Sequence, residues 1–387
     1  MGSDVDATVA PFGLTPPQQD LAGWVRELAR TELRPLAEAG VSGRVNRPLV
    51  RALGERGLLS RLFPMAPQGT PSGTVSAIEL CILRENLAIE CTEVETALAL
   101  QGLGTYPILQ SGHSEVVRRW IPAVACGAAV SAFALTEPGA GSDAANLDLA
   151  AKPDGTGWRL SGQKIYISNA PEADVYTVFA RTTPGAGSRG VSAFVVEGTA
   201  AGLSGEPLEL LAAHPIGRLD FDGVFVPEEH LLGEPDRGFA VAMRTLDLFR
   251  PSVGAFAVGM AQAALEAAVT HAGRRQAFGG PLSELQAVGH LLAEMAARTE
   301  AARLLVYKAA AEYDLGGPNI TKLASMAKLF ATETAQFVVD AAIQIHGARG
   351  LERGHLLEHL YREVRAPRIY EGASEVQRSI IARELYR

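Results

Sequence analysis

Apolar residues recur every three to four positions through the first third of the chain, gather into short strand-like pieces divided by turn residues through a middle stretch, and recur every three to four again to the end. From Thr15 to about Gly127 the period is helical. Pro16 and Pro17 open a helix whose stripe runs through Leu21, Trp24, Val25 and Leu28. Residues 75–88 and 94–103 are apolar on most faces, as buried helices are. A Pro- and Gly-rich loop, 63–73, precedes them. From about Val130 the pattern shortens to strands at 131–136, 147–151, 158–161, 164–168, 175–181, 191–196 and 219–226, with Asp154-Gly155 and Ser161-Gly162 at turns. No helical stretch separates these strands, so an antiparallel barrel or sandwich is expected and not a parallel nucleotide-binding sheet. After Pro227 and Gly233 come long helical runs at 239–271, 282–313 and 320–345. A shorter run at 355–363 and a terminal helix that Ser374 could cap complete the chain. Gly273, Gly316-Gly317-Pro318 and Gly347 stand where helices should stop. The expected fold is mainly α with a central β domain: an N-terminal helical domain (1–128), a middle antiparallel β-barrel or sandwich (129–235) and a C-terminal four-helix bundle (236–387).

Composition narrows the class. Of 387 residues, 47% are hydrophobic and 20% charged, which excludes a disordered chain. A net charge of −8 and a pI near 5.6 argue against nucleic acid or an anionic membrane as the main partner. No unbroken apolar run has the length of a membrane span. Residues 1–13 carry Asp4 and Asp6 but no Lys or Arg, unlike a signal or transit peptide. The three cysteines, Cys81, Cys91 and Cys126, have no metal-site spacing; they are expected to be reduced core thiols of a cytoplasmic protein.

The richest candidate for chemistry is 368–377, Arg-Ile-Tyr-Glu-Gly-Ala-Ser-Glu-Val-Gln. Gly372 permits a sharp turn beside Glu371, so that its carboxylate and its own N–H could face one site as base and donor. The alternative is a surface glutamate that caps the last helix. His355-Leu-Leu-Glu-His359 has an inverted zinc-protease spacing, but no further acidic ligand follows at a suitable distance, and a structural helix is the expectation there. Gly139-Ala-Gly141 lacks the third glycine of a dinucleotide fingerprint.

Five strings in order carry a stronger signal. They are Phe133-Ala-Leu-Thr-Glu-Pro-Gly-Ala-Gly-Ser-Asp143, Gly162-Gln-Lys-Ile-Tyr-Ile-Ser-Asn169, Arg275-Gln-Ala-Phe-Gly279 with Gln286, Gln344-Ile-His-Gly-Ala-Arg-Gly350, and Ile369-Tyr-Glu-Gly372. Together with the helix, strand, helix order, they make the chain resemble the acyl-CoA dehydrogenase family from about Thr15 to Arg387. The resemblance implies FAD as cofactor. Phe133, Leu135, Thr136, Gly141, Ser142, Tyr166 and Ser168 would meet the flavin, with Thr136 at its pyrimidine edge and Ser168 near N5. Arg275, Phe278, Gln286, Gln344, Gly347, Ala373 and Glu375 would hold the rest, some from a neighbouring subunit of a dimer or tetramer. Glu371 would abstract the α-proton of a short- or medium-chain acyl thioester while a hydride passes to the flavin. Burial should raise its pKa toward the range useful for a base. Glu95, Ala99, Leu103, Ser142, Leu246, Asp247, Arg250, Tyr370 and Gly372 would bind substrate. Some family members carry the base just before the position of Arg250; here that residue is Phe249, which cannot take a proton. An electron-transferring flavoprotein would be the default acceptor.

The sequence departs from the family pattern at several points. Tyr166 stands for the usual Trp, which leaves room for another acceptor or oxygen. Ala277 and Ala373 replace hydroxyl residues, which keeps a flavin-less relative acting as a binding protein in view. The string 208–214, Leu-Glu-Leu-Leu-Ala-Ala-His, has no Arg, Lys or Ser for CoA phosphates, which favours an acyl-carrier-protein thioester as the alternative substrate.

Overall fold

In a computed structural model, residues 13–64 and 75–386 are described; the N-terminal segment and most of the 63–73 loop lie outside them. The helices before the sheet are α1 (Pro16–Leu28), α2 (Arg34–Glu38), α3 (Arg47–Glu55), α4 (Leu58–Arg61), α5 (Ala77–Glu90), α6 (Thr92–Ser111) and α7 (Ser114–Ala125). Strands β1 (Ser131–Ala134), β2 (Ala150–Asp154), β3 (Gly157–Ser168), β4 (Val175–Arg181), β5 (Val191–Glu197), β6 (Leu203–Pro207) and β7 (Ile216–Pro227) follow. Then come α8 (Gly238–Arg274), the hairpin β8 (Gln276–Ala277) and β9 (Gly280–Pro281), α9 (Gln286–Asp314), α10 (Ile320–His346), α11 (Leu356–Glu363) and α12 (Ser374–Glu384). The expected helix, sheet, helix order holds. The residues fall into two compact units, Met1–Glu32 with Ser76–Glu95 and Arg250–Arg387, and Leu33–Val75 with Thr96–Phe249.

In the first unit, small residues let helices approach closely. A Cβ on Gly259 of α8 would lie 2.4 Å from the Glu85 carbonyl, and one on Gly254 would lie 2.7 Å from the Val306 side chain. Glu85, buried in this packing, is paired. Glu85 accepts from Arg303 Nε at 2.8 Å and from the Tyr307 hydroxyl at 2.9 Å. Asp314 accepts from Ala77 N at 2.6 Å and Ile78 N at 3.2 Å, a negative charge at the N-terminus of α5. Helix α8 is long and apolar enough to cross a membrane, yet 67% of its most apolar window is buried in the structure, as a core helix would be. Gly273 does not stop it: the helix runs on to Arg274.

The second unit is built on a seven-stranded sheet in the order β1-β4-β2-β3-β7-β6, with β5 also on β4. Pairing is antiparallel through β2–β3, β3–β7, β6–β7 and β4–β5, while β1 runs parallel to β4. The two short strands expected at 158–161 and 164–168 are one strand, broken in register at Leu160/Gly162 and Lys164/Ile167. Tyr176, Phe179 and Phe194 are fully buried in this unit, each contributing about 2–3 kcal/mol of apolar burial. Helix α6 is pinned to β1 and β4: Gln101 Oε1 accepts from Ser131 N at 2.8 Å, and Gly104 O accepts from Thr177 Oγ1 at 2.8 Å. Cys81 and Cys91 are buried as expected, but Cys126, at the C-cap of α7, is exposed.

Candidate active site

The chain turns sharply at Glu371. Glu371 has φ 51° and Gly372 φ 98°, two consecutive left-handed residues. For a residue with a Cβ such a conformation costs on the order of 1–3 kcal/mol and persists only where surroundings enforce it. Here they do. Arg250 Nε donates to the Glu371 carbonyl at 3.2 Å, Lys328 Nζ donates to the Gly372 carbonyl at 2.7 Å, and Gln377 Nε2 donates to both, at 3.1 and 2.9 Å. The turn therefore holds the side chain of Glu371 by its backbone, leaving the carboxylate for other work. Its Oε2 is buried and accepts no hydrogen bond.

Burial pushes the Glu371 carboxyl above the usual carboxylate range, and the charges of Arg84, Lys328 and Arg250 pull part of the way back. Burial likewise pushes the Lys328 ammonium down to about 8, against the attraction of Glu371. A carboxylate so placed is poised to accept a proton. Beside it, Arg84 is ion-paired with Glu95, both almost wholly buried, and donates from Nη1 to Ser252 Oγ at 2.7 Å. Glu95 thus lies in a charge pair inside the first unit. Tyr370 keeps 36% of its surface exposed.

The terminal helix starts one residue earlier than a Ser374 cap would set it. Ala373 occupies the cap position, and the Ser374 hydroxyl instead donates to Glu333 Oε1 at 2.6 Å. Glu375 is exposed in the first turn of α12. Elsewhere in this unit, the ends of α8 and α10 meet through His271 and His346, whose rings stack at 4.1 Å. That stacking brings Arg275 and Gln344, four residues after His271 and two before His346, to adjacent helix ends. Arg275, Gln286, Gln344 and Gly347 are exposed, and Phe278 is 91% exposed at φ 54°. The two histidines of the 355–359 string take different partners: His355 Nδ1 accepts from Leu357 N, and His359 Nε2 lies 2.6 Å from Thr92 Oγ1.

The second unit presents its own cluster. The loop after β1 is fixed from inside by Lys164, wholly buried, which donates to Glu137 Oε1 at 2.7 Å and to the Leu135 carbonyl at 2.9 Å. Ile165 N donates to the Thr136 carbonyl at 3.0 Å. Phe133 packs on Phe179 with centroids 4.9 Å apart. A Cβ at Gly141 would meet nothing within 4 Å, so the loop is open to close approach; Ser142 beside it is exposed. In the second register break of β3, Tyr166 adopts φ 56° and leaves 56% of its surface exposed. Thr136 and Ser168 are half-buried, and the Ser168 hydroxyl lies 2.9 Å from His214 Nε2. Ala99 and Leu246 are buried, while Leu103 and Asp247 are half-buried.

Sequence reasoning named Glu371 and Arg250 but passed over Arg84, Lys328 and Gln377. Neither Arg84 nor Lys328 stands out by sequence, because the helices 77–90 and 320–346 carry other charged residues as well.

Three family profiles match consecutive parts of the chain: "Acyl-CoA dehydrogenase, N-terminal domain" over 15–128, the middle domain over 132–224 and the C-terminal domain over 236–386. The chain belongs to the acyl-CoA dehydrogenase family. It is accordingly an oxidoreductase of the acyl-CoA dehydrogenase type. Cyclohexane-1-carbonyl-CoA dehydrogenase of Geobacter metallireducens is 36% identical over 93% of this chain and 95% of its own. The structure of butyryl-CoA dehydrogenase from Megasphaera elsdenii is similar with a TM-score of 0.90, at 33% identity over 97% of this chain and 100% of that one. An FAD complex of PigA is similar with a TM-score of 0.91, at 27% identity over 97% of this chain and 99% of that one.

Proposed function

We propose that this acyl-CoA dehydrogenase family member oxidises a short- or medium-chain acyl thioester to its 2-enoyl thioester, with FAD as cofactor and Glu371 as the base. One observation carries the reading: a buried carboxylate oxygen without a hydrogen bond, on a backbone turn fixed by Arg250, Lys328 and Gln377. Such a group has its proton affinity raised and its acceptor lone pairs unused. Bound FAD supplies the acceptor for the β-hydride. Residues of this chain suit that group: the exposed Tyr166 face and the 138–142 glycine loop for the ring, and exposed Arg275 with Gln344 for a diphosphate and adenine. Glu371 takes the α-proton, and its own N–H helps polarise the thioester carbonyl, so the developing negative charge meets a fixed donor. Electrons would leave to an electron-transferring flavoprotein, past Tyr166. The working form would be a dimer or tetramer.

One feature favours a second substrate reading. The 208–214 string exposes Leu210 and Leu211 to 46% and 64%, with no cationic side chain in it to meet CoA phosphates. A carrier-protein thioester needs no such partner there.

The test is the visible spectrum of the purified protein under anaerobic conditions, titrated with butyryl-CoA and with the butyryl-carrier thioester. Bleaching of a flavin band is expected, and Glu371→Gln should lose it while keeping the flavin. A protein without flavin, or bleaching that survives in Glu371→Gln, would overturn the proposal.

A further inference from the structure

His214 closes the 208–214 string, and its imidazole lies against Ser168 at the end of β3. Ser168, the last residue of β3, pairs in register with Ile216 of β7, and Asn169 N donates to the Pro215 carbonyl at 2.7 Å. Asn169, at φ 65° and buried, donates from its side chain to the Ser131 carbonyl at 2.8 Å. These bonds fix both sides of one contact, in which His214 Nε2 lies 2.9 Å from Ser168 Oγ. The imidazole is also kept neutral, because burial pushes it down to about 4. A neutral imidazole has one nitrogen that donates and one that accepts.

We propose that His214 is a positioning residue for hydride transfer: through Nε2 it sets which way the Ser168 hydroxyl proton points, and so whether Ser168 donates to or accepts from flavin N5. The inference rests on the FAD reading above and on the family resemblance that would put Ser168 near N5. Its chemistry follows from what N5 requires. In oxidised flavin N5 is an acceptor; after it receives a hydride, N5–H is a donor. With the proton on Nε2, His214 would donate to Ser168 Oγ, leaving the serine hydroxyl free to donate to an acceptor such as oxidised N5. With the proton on Nδ1, the serine would donate to Nε2 and offer its lone pairs to a donor such as reduced N5–H. Passing from one to the other moves one proton from Nε2 to Nδ1 of the neutral ring, so net charge is unchanged and no bond to carbon is made or broken by either residue.

The test uses holoenzyme and compares wild type, His214→Phe, His214→Gln, Ser168→Ala and the His214→Phe/Ser168→Ala double variant. Two readouts are taken: the flavin midpoint potential without substrate, and the rate of flavin bleaching by the thioester. His214→Phe is expected to change the flavin reduction equilibrium about tenfold, about 30 mV for a two-electron couple. It should also slow bleaching by a similar factor, the size of one hydrogen bond. His214→Gln, whose amide can donate or accept, should recover most of both. In the Ser168→Ala background, His214→Phe should then do nothing further. Equal effects of His214→Phe with and without the Ser168 hydroxyl, or an unchanged potential, would overturn the relay while leaving the FAD reading intact. A wild-type protein that binds no flavin would overturn both.

Discussion

Replacing Lys164 with methionine should loosen the sheet more than any surface change could. The ammonium lies wholly inside the second unit, 2.7 Å from Glu137 Oε1. At that separation and an effective dielectric near 20, the Coulomb attraction is about 6 kcal/mol before desolvation is subtracted. Glu137 also accepts from Asp148 N at 2.5 Å and Leu149 N at 2.9 Å, so it would stay buried and bonded but without a counter-charge. Breaking one partner out of such a pair costs about 3–5 kcal/mol, a large share of an ordinary domain's stability. Urea unfolding is the assay, with tryptophan fluorescence as the signal, since Trp158 packs on Phe194 at 5.7 Å within the same sheet. Adding Glu137→Gln should recover about half of the loss, because the amide oxygen can still accept one backbone N–H. A loss below about 1 kcal/mol, or a double variant no better than the single, would refute the reasoning. pH gives a second handle. Burial lowers the Lys164 pKa from an ordinary 10.5 to about 8, so between those values the unfolded chain binds the extra proton and stability rises with pH. Lys328 adds a rise of the same sign, so Lys164→Met should flatten the increase without abolishing it.

Other outcomes follow from the same geometry. Because the Glu371 carboxyl is raised by burial and must be ionised to act, flavin bleaching should fall on the acid side at a pH above the ordinary carboxylate range. Lys328→Met removes a cation that opposes this shift, so the acid limb of the bleaching rate should move to still higher pH; an unmoved limb would show that Lys328 acts only on the backbone. Gly104→Ala would put a Cβ 2.6 Å from Ala132 N, and a thermal melt should show a loss of about 1–3 kcal/mol. Full stability in that variant would mean that α6 and β1 can part without cost.

The fold was legible wherever one residue's setting is decided by its neighbours in sequence. The three-to-four period located α1, α8, α9 and α10, and short runs bounded by turn residues located β4 and β5. What escaped depends on partners far along the chain. Strand β6, Leu-Ser-Gly-Glu-Pro, has almost no alternation to detect and is ordered by its pairing with β7. The parallel union of β1 with β4 joins residues more than forty positions apart, which no local pattern encodes. Gly162 looked like a hairpin turn, yet with φ 139° it sits at a register break within one strand. Ser374 had the chemistry of a cap but is drawn to Glu333, on another helix. Glu371 stood out as a candidate base only with the other family strings beside it; Lys328, which donates to the Gly372 carbonyl, was not legible, because α10 reaches that turn only after the helices pack.

The company Glu371 keeps has a further consequence. Arg84, Arg250 and Lys328 bring three positive charges to its surroundings, against the two negative charges of Glu95 and Glu371. When Glu371 picks up a proton, one of those negative charges disappears and the imbalance doubles. An anion forming on a neighbouring carbonyl would restore the starting balance at that moment. Deprotonation and enolate stabilisation would then be one electrostatic event, in which negative charge moves a few ångströms from protein to substrate and the total within the first unit's interior stays the same.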